Sequence, residues 1–164
     1  MNLIIKSLCA IAALCLFGAC SSEPQNEAED SVNYEVLVEV ENNNVLADEV
    51  LEVLNLHRST LGLEPLQWHD EPEDLALGHS VYMANRNEAS HDNFFERSDF
   101  LRDRGATSVS ENVAYGYTTA EDVVQGWLNS PSHKEAIESD FTHTGIGIIK
   151  NELGVNFYTQ LFFK

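Results

Sequence analysis

The spacing of apolar residues changes several times along the chain, and each change predicts a different element. From Leu46 to about residue 61 apolar side chains recur at helical spacing, and the same period returns over 71–86. Further helices are expected at about 93–103 and from Thr118 to just before Pro131. The pattern therefore predicts that helices dominate the first part of the folded region.

Local start signals support these helices. Asp70, Thr118 and Ser132 are each followed three residues later by glutamate, which is the pattern of a capping box. The last of the three predicts a short fifth helix that begins at Ser132.

Strand patterns appear later in the chain. Residues 108–117 read SVSENVAYGY, a short apolar run entered by the polar pair Glu111 and Asn112. The runs HTGIGIIK (143–150) and GVNFYTQLFF (154–163) predict two strands joined as a hairpin around NELG. Helices that come first and strands that come last, without regular alternation, predict an α+β layered domain.

The first 19 residues have the pattern of a secretory signal peptide. One lysine precedes an apolar run, residues 8–17, that is too short to span a bilayer, and small residues follow before Cys20. This region is similar to a bacterial lipobox, which predicts lipidation of Cys20 and attachment to a membrane. Ordinary cleavage or a buried free thiol are the alternatives. Ser21 is not a retention aspartate, which favours the outer membrane in a two-membrane bacterium.

Residues 20–45 are expected to form an acidic, flexible tether, and residues 46–164 the folded domain. Within the tether, residues 33–45 are ambiguous because apolar residues alternate there with glutamates, as in a strand. Both an added edge strand and a continued tether stay open.

The formal net charge is −18, which disfavours nucleic acid and anionic surfaces as partners and attracts cations. Acidity is also a common means of staying soluble. Cys9 and Cys15 lie in the predicted signal peptide, so only Cys20 remains after cleavage and no intramolecular disulfide is expected.

Three side chains are candidates for a shared site. His91 lies between two predicted helices, and His133 lies in a first helical turn, where the helix dipole favours the neutral imidazole that binds metal. Glu111 enters an apolar strand, where a buried carboxylate needs a partner or a cleft. Spacings of 20 and 22 residues define no local metal motif, so their convergence is a hypothesis.

The other histidines are interpreted as structural. Ser130 with His133 could form a nucleophile and base, although helix capping and a turn explain the same residues more simply.

Five segments together indicate a family. VLNLHRSTLGLEPLQWHDEPEDLALGHSVYMA, SHDNFFER, ENVAYG, VVQGWLNSPSHKEAI and FTHTGIGI occur in this order and resemble the bacterial branch of the CAP superfamily. That superfamily of SCP-like extracellular domains includes cysteine-rich secretory, antigen five and pathogenesis-related proteins. The resemblance covers roughly residues 46–164 and implies a three-layer α-β-α sandwich with a small central mixed sheet and a surface cleft.

The resemblance also implies a site. His91 matches the first cleft histidine, Glu111 the acid of the EN motif and His133 the second histidine. Ser130 stands where many eukaryotic members carry a second acid. The histidines of the family can bind a divalent metal, often zinc. Glu111 is then expected to face the cleft and orient the imidazoles, while Asn112 turns away and holds loop backbone.

Three functions fit this interpretation. The favoured one is an extracytoplasmic binding module, anchored through lipidated Cys20, for a small molecule, a lipid or a cell-wall component. The second is a metal-dependent hydrolase with Glu111 as base. The third is a structural or adhesive envelope protein with a vestigial cleft.

Overall fold

The computed structural model describes residues 41–164. The predicted signal peptide, Cys20 and residues 33–40 of the ambiguous segment lie outside the described residues. Those predictions stay predictions.

Five helices and four strands make up the described part of the chain. In chain order they are α1 (Asn44–Thr60), β1 (Gln67–Trp68), α2 (Asp70–Arg86), α3 (Phe94–Arg102), β2 (Val109–Tyr115), α4 (Ala120–Leu128), α5 (Pro131–Glu138), β3 (His143–Lys150) and β4 (Asn156–Phe163). Across residues 41–164, none of the helices has the length and apolar character needed to cross a bilayer.

The strands form one mixed sheet in the order β1-β3-β4-β2. β1 runs parallel to β3, whereas β3 with β4 and β4 with β2 are antiparallel. The α+β prediction is therefore confirmed.

Helices cover both faces of the sheet. Because side chains alternate along a strand, Tyr158 and Phe162 of β4 point to one face and Phe157 and Leu161 to the other. The first face packs under α1, α4 and α5, with Trp127 at its centre. The second packs under α2 and α3. This is the three-layer arrangement that the resemblance implied.

Glycines allow α2 to lie directly on β3. A Cβ atom at Gly145 would collide with the backbone nitrogen of Glu73, and one at Gly147 with that of Leu77. Ser80 adds a hydrogen bond from its hydroxyl to the Gly147 carbonyl at 2.8 Å. The close approach fixes α2, and hence the loop that follows it, relative to the sheet.

The start of α2 differs from the prediction. His69 rather than Asp70 is the N-cap, and its Nδ1 accepts a hydrogen bond from the Glu71 N–H at 3.3 Å. A neutral imidazole can accept in place of a carboxylate, so Asp70 becomes the first helical residue.

The starts of α4 and α5 are also shifted. Thr119 rather than Thr118 caps α4, through its hydroxyl and the Asp122 N–H. Ser130 rather than Ser132 occupies the N-cap of α5, because Pro131 has the fixed φ that suits the first helical position.

The folded region begins a few residues before the predicted boundary at residue 46. Asn42 donates from Nδ2 to the Ile146 carbonyl at 2.9 Å and accepts from the Ile148 N–H at 2.7 Å. The side-chain amide of Asn42 thus makes the two hydrogen bonds that the backbone of a neighbouring strand would make with β3. Residues 42–45 consequently belong to the fold rather than to the tether, and α1 begins at Asn44.

Arg58 connects α1 to the segment between α5 and β3. Its guanidinium is buried and donates to four backbone carbonyls, those of Glu64, Ile137, Ser139 and Phe141. Burial lowers the pKa of Arg58, while Asp140 acts in the opposite direction.

We expect Arg58→Met to lower the free energy of unfolding by about 3–5 kcal/mol, because buried carbonyls lose their donors. Arg102→Met is the matched control: exposed Arg102 donates to the Ser98 hydroxyl, so its loss should cost under about 1 kcal/mol. Urea denaturation of both variants measures the difference, and equal losses would contradict this role for Arg58.

Candidate functional site

The loop between α2 and α3 carries His91, and a second histidine holds that loop. His79 of α2 is buried and its Nε2 lies 2.8 Å from the Ser90 carbonyl. Burial, followed by the nearby charge of Arg97, lowers the pKa of His79. A neutral imidazole that donates Nε2–H to Ser90 therefore fixes the backbone next to His91.

Glu111 lies on β2, with the side chain turned toward α3. Its Oε1 is 2.8 Å from Nδ1 of His91, and its Oε2 accepts from Nε of Arg97 at 2.7 Å. The Arg97 Nη2 also lies 2.7 Å from Oε2. Side-chain exposure is 1% for Glu111, 6% for Arg97 and 51% for His91. The carboxylate is thus buried behind the exposed imidazole.

This geometry assigns the tautomer of His91. An ionised carboxylate only accepts hydrogen bonds, so Nδ1 of His91 carries the proton that faces Glu111. Its Nε2, which makes no hydrogen bond within residues 41–164, is left as the nitrogen available to a ligand. The Arg97 charge compensates that of Glu111 in the low-dielectric interior.

His133 approaches from the first turn of α5. Asn112 of β2 is fully buried and donates from Nδ2 to the His133 carbonyl at 3.2 Å, which ties α5 to the sheet. The rings of His91 and His133 are 6.3 Å apart between centroids. Burial, followed by the neighbouring His91, lowers the pKa of His133 and favours its neutral form.

The two imidazoles line one open cleft of about 440 Å³. Its walls include, besides the histidines, five other ring or hydroxyl residues: Ser90, Tyr115, Tyr117, Trp127 and Ser130. Glu111 and Asn112 are not among them, so both lie behind the wall rather than facing the cleft, contrary to expectation for Glu111. The reason is that β2 directs these two side chains into contacts with α3 and α5.

Arg97 is the main residue that sequence reasoning missed. It lies on α3 between Phe94 and Leu101, at spacings of three and four residues, which place the three side chains on one helix face. An arginine on the apolar face of a helix indicates a buried anionic partner, and that signal was present in the sequence.

The arrangement fits a two-nitrogen cation site only. His91 and His133 could hold a metal ion, and the carboxylate on His91 is a usual second partner of a metal-binding imidazole. Both oxygens of Glu111 are engaged, however, and residues 41–164 contain no group of three or more His, Cys, Asp or Glu side chains arranged around one ion. Catalytic zinc normally has three protein ligands.

Ser130 is not arranged as an activated nucleophile. No hydrogen bond joins its hydroxyl to His133 in the part of the chain that the structure describes. The two side chains share the cleft wall without forming a nucleophile–base pair.

Comparison with known proteins identifies the class. Residues 51–162 match the CAP family, described as the cysteine-rich secretory protein family. The chain belongs to this family, as its resemblance implied.

A relative of this chain is found in a bacterium. The chain is 34% identical over 123 residues to the uncharacterized membrane protein YlbC of Bacillus subtilis, a match that covers 71% of the chain and 34% of YlbC. It therefore spans about a third of that relative.

Two solved structures share the fold. An outer surface protein of Borrelia burgdorferi matches with a TM-score of 0.61 and 27% identity, over 74% of this chain and 90% of that one. An extracellular SCP-domain protein of Bacillus anthracis matches with a TM-score of 0.62 and 30% identity, over 74% and 41%.

The buried ion pair of Arg97 and Glu111 can be tested by a double-mutant cycle. Arg97→Met and Glu111→Gln should each lower the free energy of unfolding by about 3–5 kcal/mol, because each leaves the other side chain buried without its full partner. The double variant should lose less than the sum of the two, by about 1–3 kcal/mol.

The control cycle uses Lys134→Met and Glu138→Gln, a more solvent-accessible pair one helical turn apart, in which Glu138 also contacts His57. Its coupling should be about 0.5 kcal/mol or less. Urea denaturation supplies all the values, and a coupling in the first cycle no larger than in the control would refute the structural pairing.

Proposed function

We propose that this protein is an exported, lipid-anchored binding module whose cleft takes its ligand between His91 and His133. One observation carries the proposal: two imidazoles from separate elements line the same open cleft, and a buried carboxylate orients one of them. A buried charge pair adds little net stability, so a ligand that uses the orientation of His91 explains the pair better than stability does.

The location outside the cytoplasm rests on two supports. The first 19 residues have the signal-peptide pattern that ends at Cys20. The two structural relatives are named an outer surface protein and an extracellular protein. A lipid on Cys20 would hold the domain at a membrane through the acidic segment, and in a bacterium with two membranes that is the outer membrane.

The geometry favours binding over hydrolysis. A general base needs a free acceptor in reach of water, and the two oxygens of Glu111 are already taken by His91 and Arg97. A purely structural protein would not need an oriented, half-exposed imidazole. If a divalent cation such as zinc binds, His91 and His133 would hold it, and it would supply a Lewis-acid contact to a ligand oxygen.

The anchor is tested by Cys20→Ser in the full chain, expressed in a bacterial host with labelled palmitate. The variant should lose the label and leave the membrane fraction, because the acyl chains need the Cys20 thiol and amine. Cys15→Ser, within the predicted signal peptide, is the control and should keep the label. A Cys20→Ser chain that stays labelled would rule out this anchor.

The cleft is tested by zinc titration of the mature chain from residue 20, with Cys20→Ser present to block lipidation and thiol binding. The double variant His91→Ala/His133→Ala should bind zinc more than about tenfold more weakly than the parent, because both nitrogens are lost. His57→Ala/His69→Ala, which removes two histidines outside the cleft wall, is the control. Isothermal titration calorimetry measures the zinc affinity of the parent, the cleft variant and the control variant. Equal affinities in the three would remove the cation from the proposal.

A further inference from the structure

As formed by the described residues 41–164, the cleft wall contains no Asp, Glu, Lys or Arg side chain. This is unusual in a chain whose formal charge is −18. Glu111, the carboxylate nearest the histidines, is buried and compensated by Arg97. The ligand is therefore not held by a salt bridge to the wall, and the field of the whole protein repels anions.

An aromatic ring is fixed in the wall by a glycine. Tyr117 packs against Gly126 of α4, where an added methyl group would collide with the tyrosine hydroxyl. The Tyr117 carbonyl accepts from the Tyr158 hydroxyl at 2.8 Å and from Nδ2 of Asn156 at 3.0 Å. Both the ring and its backbone are thus positioned before any ligand arrives.

A second ring, that of Tyr115, lines the same cleft. Tyr115 stacks on buried Phe157 with centroids 5.7 Å apart and planes 18° apart, and the residue is still 56% exposed. The Tyr115 ring thus has a packing partner on the sheet and is still largely open to solvent. Rigid aromatic faces bind the C–H-rich side of a ligand at a low cost in conformational entropy.

Hydrogen-bonding groups lie along the same wall. Nε2 of His91 is a free acceptor, and the Ser130 hydroxyl makes no capping bond to α5 and can donate or accept. His133 adds another neutral imidazole. Uncharged donors and acceptors next to aromatic faces match a ligand that has hydroxyl groups on its rim and an apolar face.

Other neutral ligands fit less well. An acyl chain needs an enclosed apolar tunnel, whereas this cleft is open to solvent. An extended peptide would add to the edge of β2, but Nε1 of Trp127 already donates to the Val113 carbonyl there at 3.0 Å. The open volume of about 440 Å³ lies in the ordinary range for small ligands.

We infer that the cleft binds an uncharged saccharide, with sugar rings against Tyr117 and Tyr115 and hydroxyl groups on His91, His133 and Ser130. This inference rests on the proposed function and names the ligand class of the same cleft. An exported domain meets such ligands as the neutral glycans of cell surfaces.

The test is a titration of the mature Cys20→Ser chain with chitotetraose, followed by NMR shifts of the cleft residues and by tryptophan fluorescence. We expect saturable shifts at Tyr117, His91 and His133, with a dissociation constant on the order of 1 mM or tighter. Tyr117→Ala should weaken binding about three- to tenfold, the worth of one aromatic contact. Gly126→Ala should weaken it as well, because it displaces the ring.

Phe95→Ala is the matched control, since Phe95 is 81% exposed and lies outside the cleft wall. It should bind chitotetraose as the parent does. Circular dichroism checks that each variant folds. Parallel titrations use the acidic tetragalacturonate, oleate and a neutral, end-blocked tetrapeptide.

The outcomes separate the inference from the proposed function. Cleft shifts with oleate, the acidic sugar or the peptide, but not with chitotetraose, would overturn the saccharide and keep the binding module. Chitotetraose binding that is indifferent to both Tyr117→Ala and Gly126→Ala would overturn the stacking geometry. No cleft shift with any of the four probes at their solubility limits would overturn the inference.

Discussion

The buried carboxylate of Glu111 connects three elements of the fold next to the cleft. Glu111 on β2 accepts from Arg97 on α3 and faces His91 on the loop before it, so one side chain joins the sheet, a helix and a loop. Burying that charge is costly unless it is fully paired, which makes the three positions interdependent. The orientation of His91 in the cleft is a consequence of satisfying Glu111. Arg97 therefore acts on the cleft without lining it.

Contacts elsewhere in the fold bring His91 and His133 to the same cleft. Gly145 and Gly147 let α2 lie directly on β3. The position of the loop that follows α2 is therefore fixed relative to the sheet. His79 then holds that loop through the Ser90 carbonyl. On the other side Asn112 holds α5 through the His133 carbonyl. The two imidazoles meet because adjacent residues of one strand, Glu111 and Asn112, point to opposite faces of the sheet.

Ser130, at the N-cap of α5, is part of the cleft wall. With serine at the cleft wall and Glu111 compensated behind it, no carboxylate of residues 41–164 lines the cleft. The uncharged wall is consistent with the neutral ligand proposed above, although the chain as a whole is strongly acidic.

Features of short range could be determined from the sequence alone. The helices, the hairpin, the α+β class and the family follow from apolar periodicity and ordered motifs, because those signals are local. Helix starts were misplaced by one or two residues at His69, Thr119 and Ser130, where several residues can cap and packing chooses among them. Only the tertiary structure decided which carboxylate Arg97 pairs with, that Glu111 lies behind the wall, and which aromatic rings line the cleft. Those facts depend on contacts between residues far apart in the chain, and no local pattern encodes the distance between them.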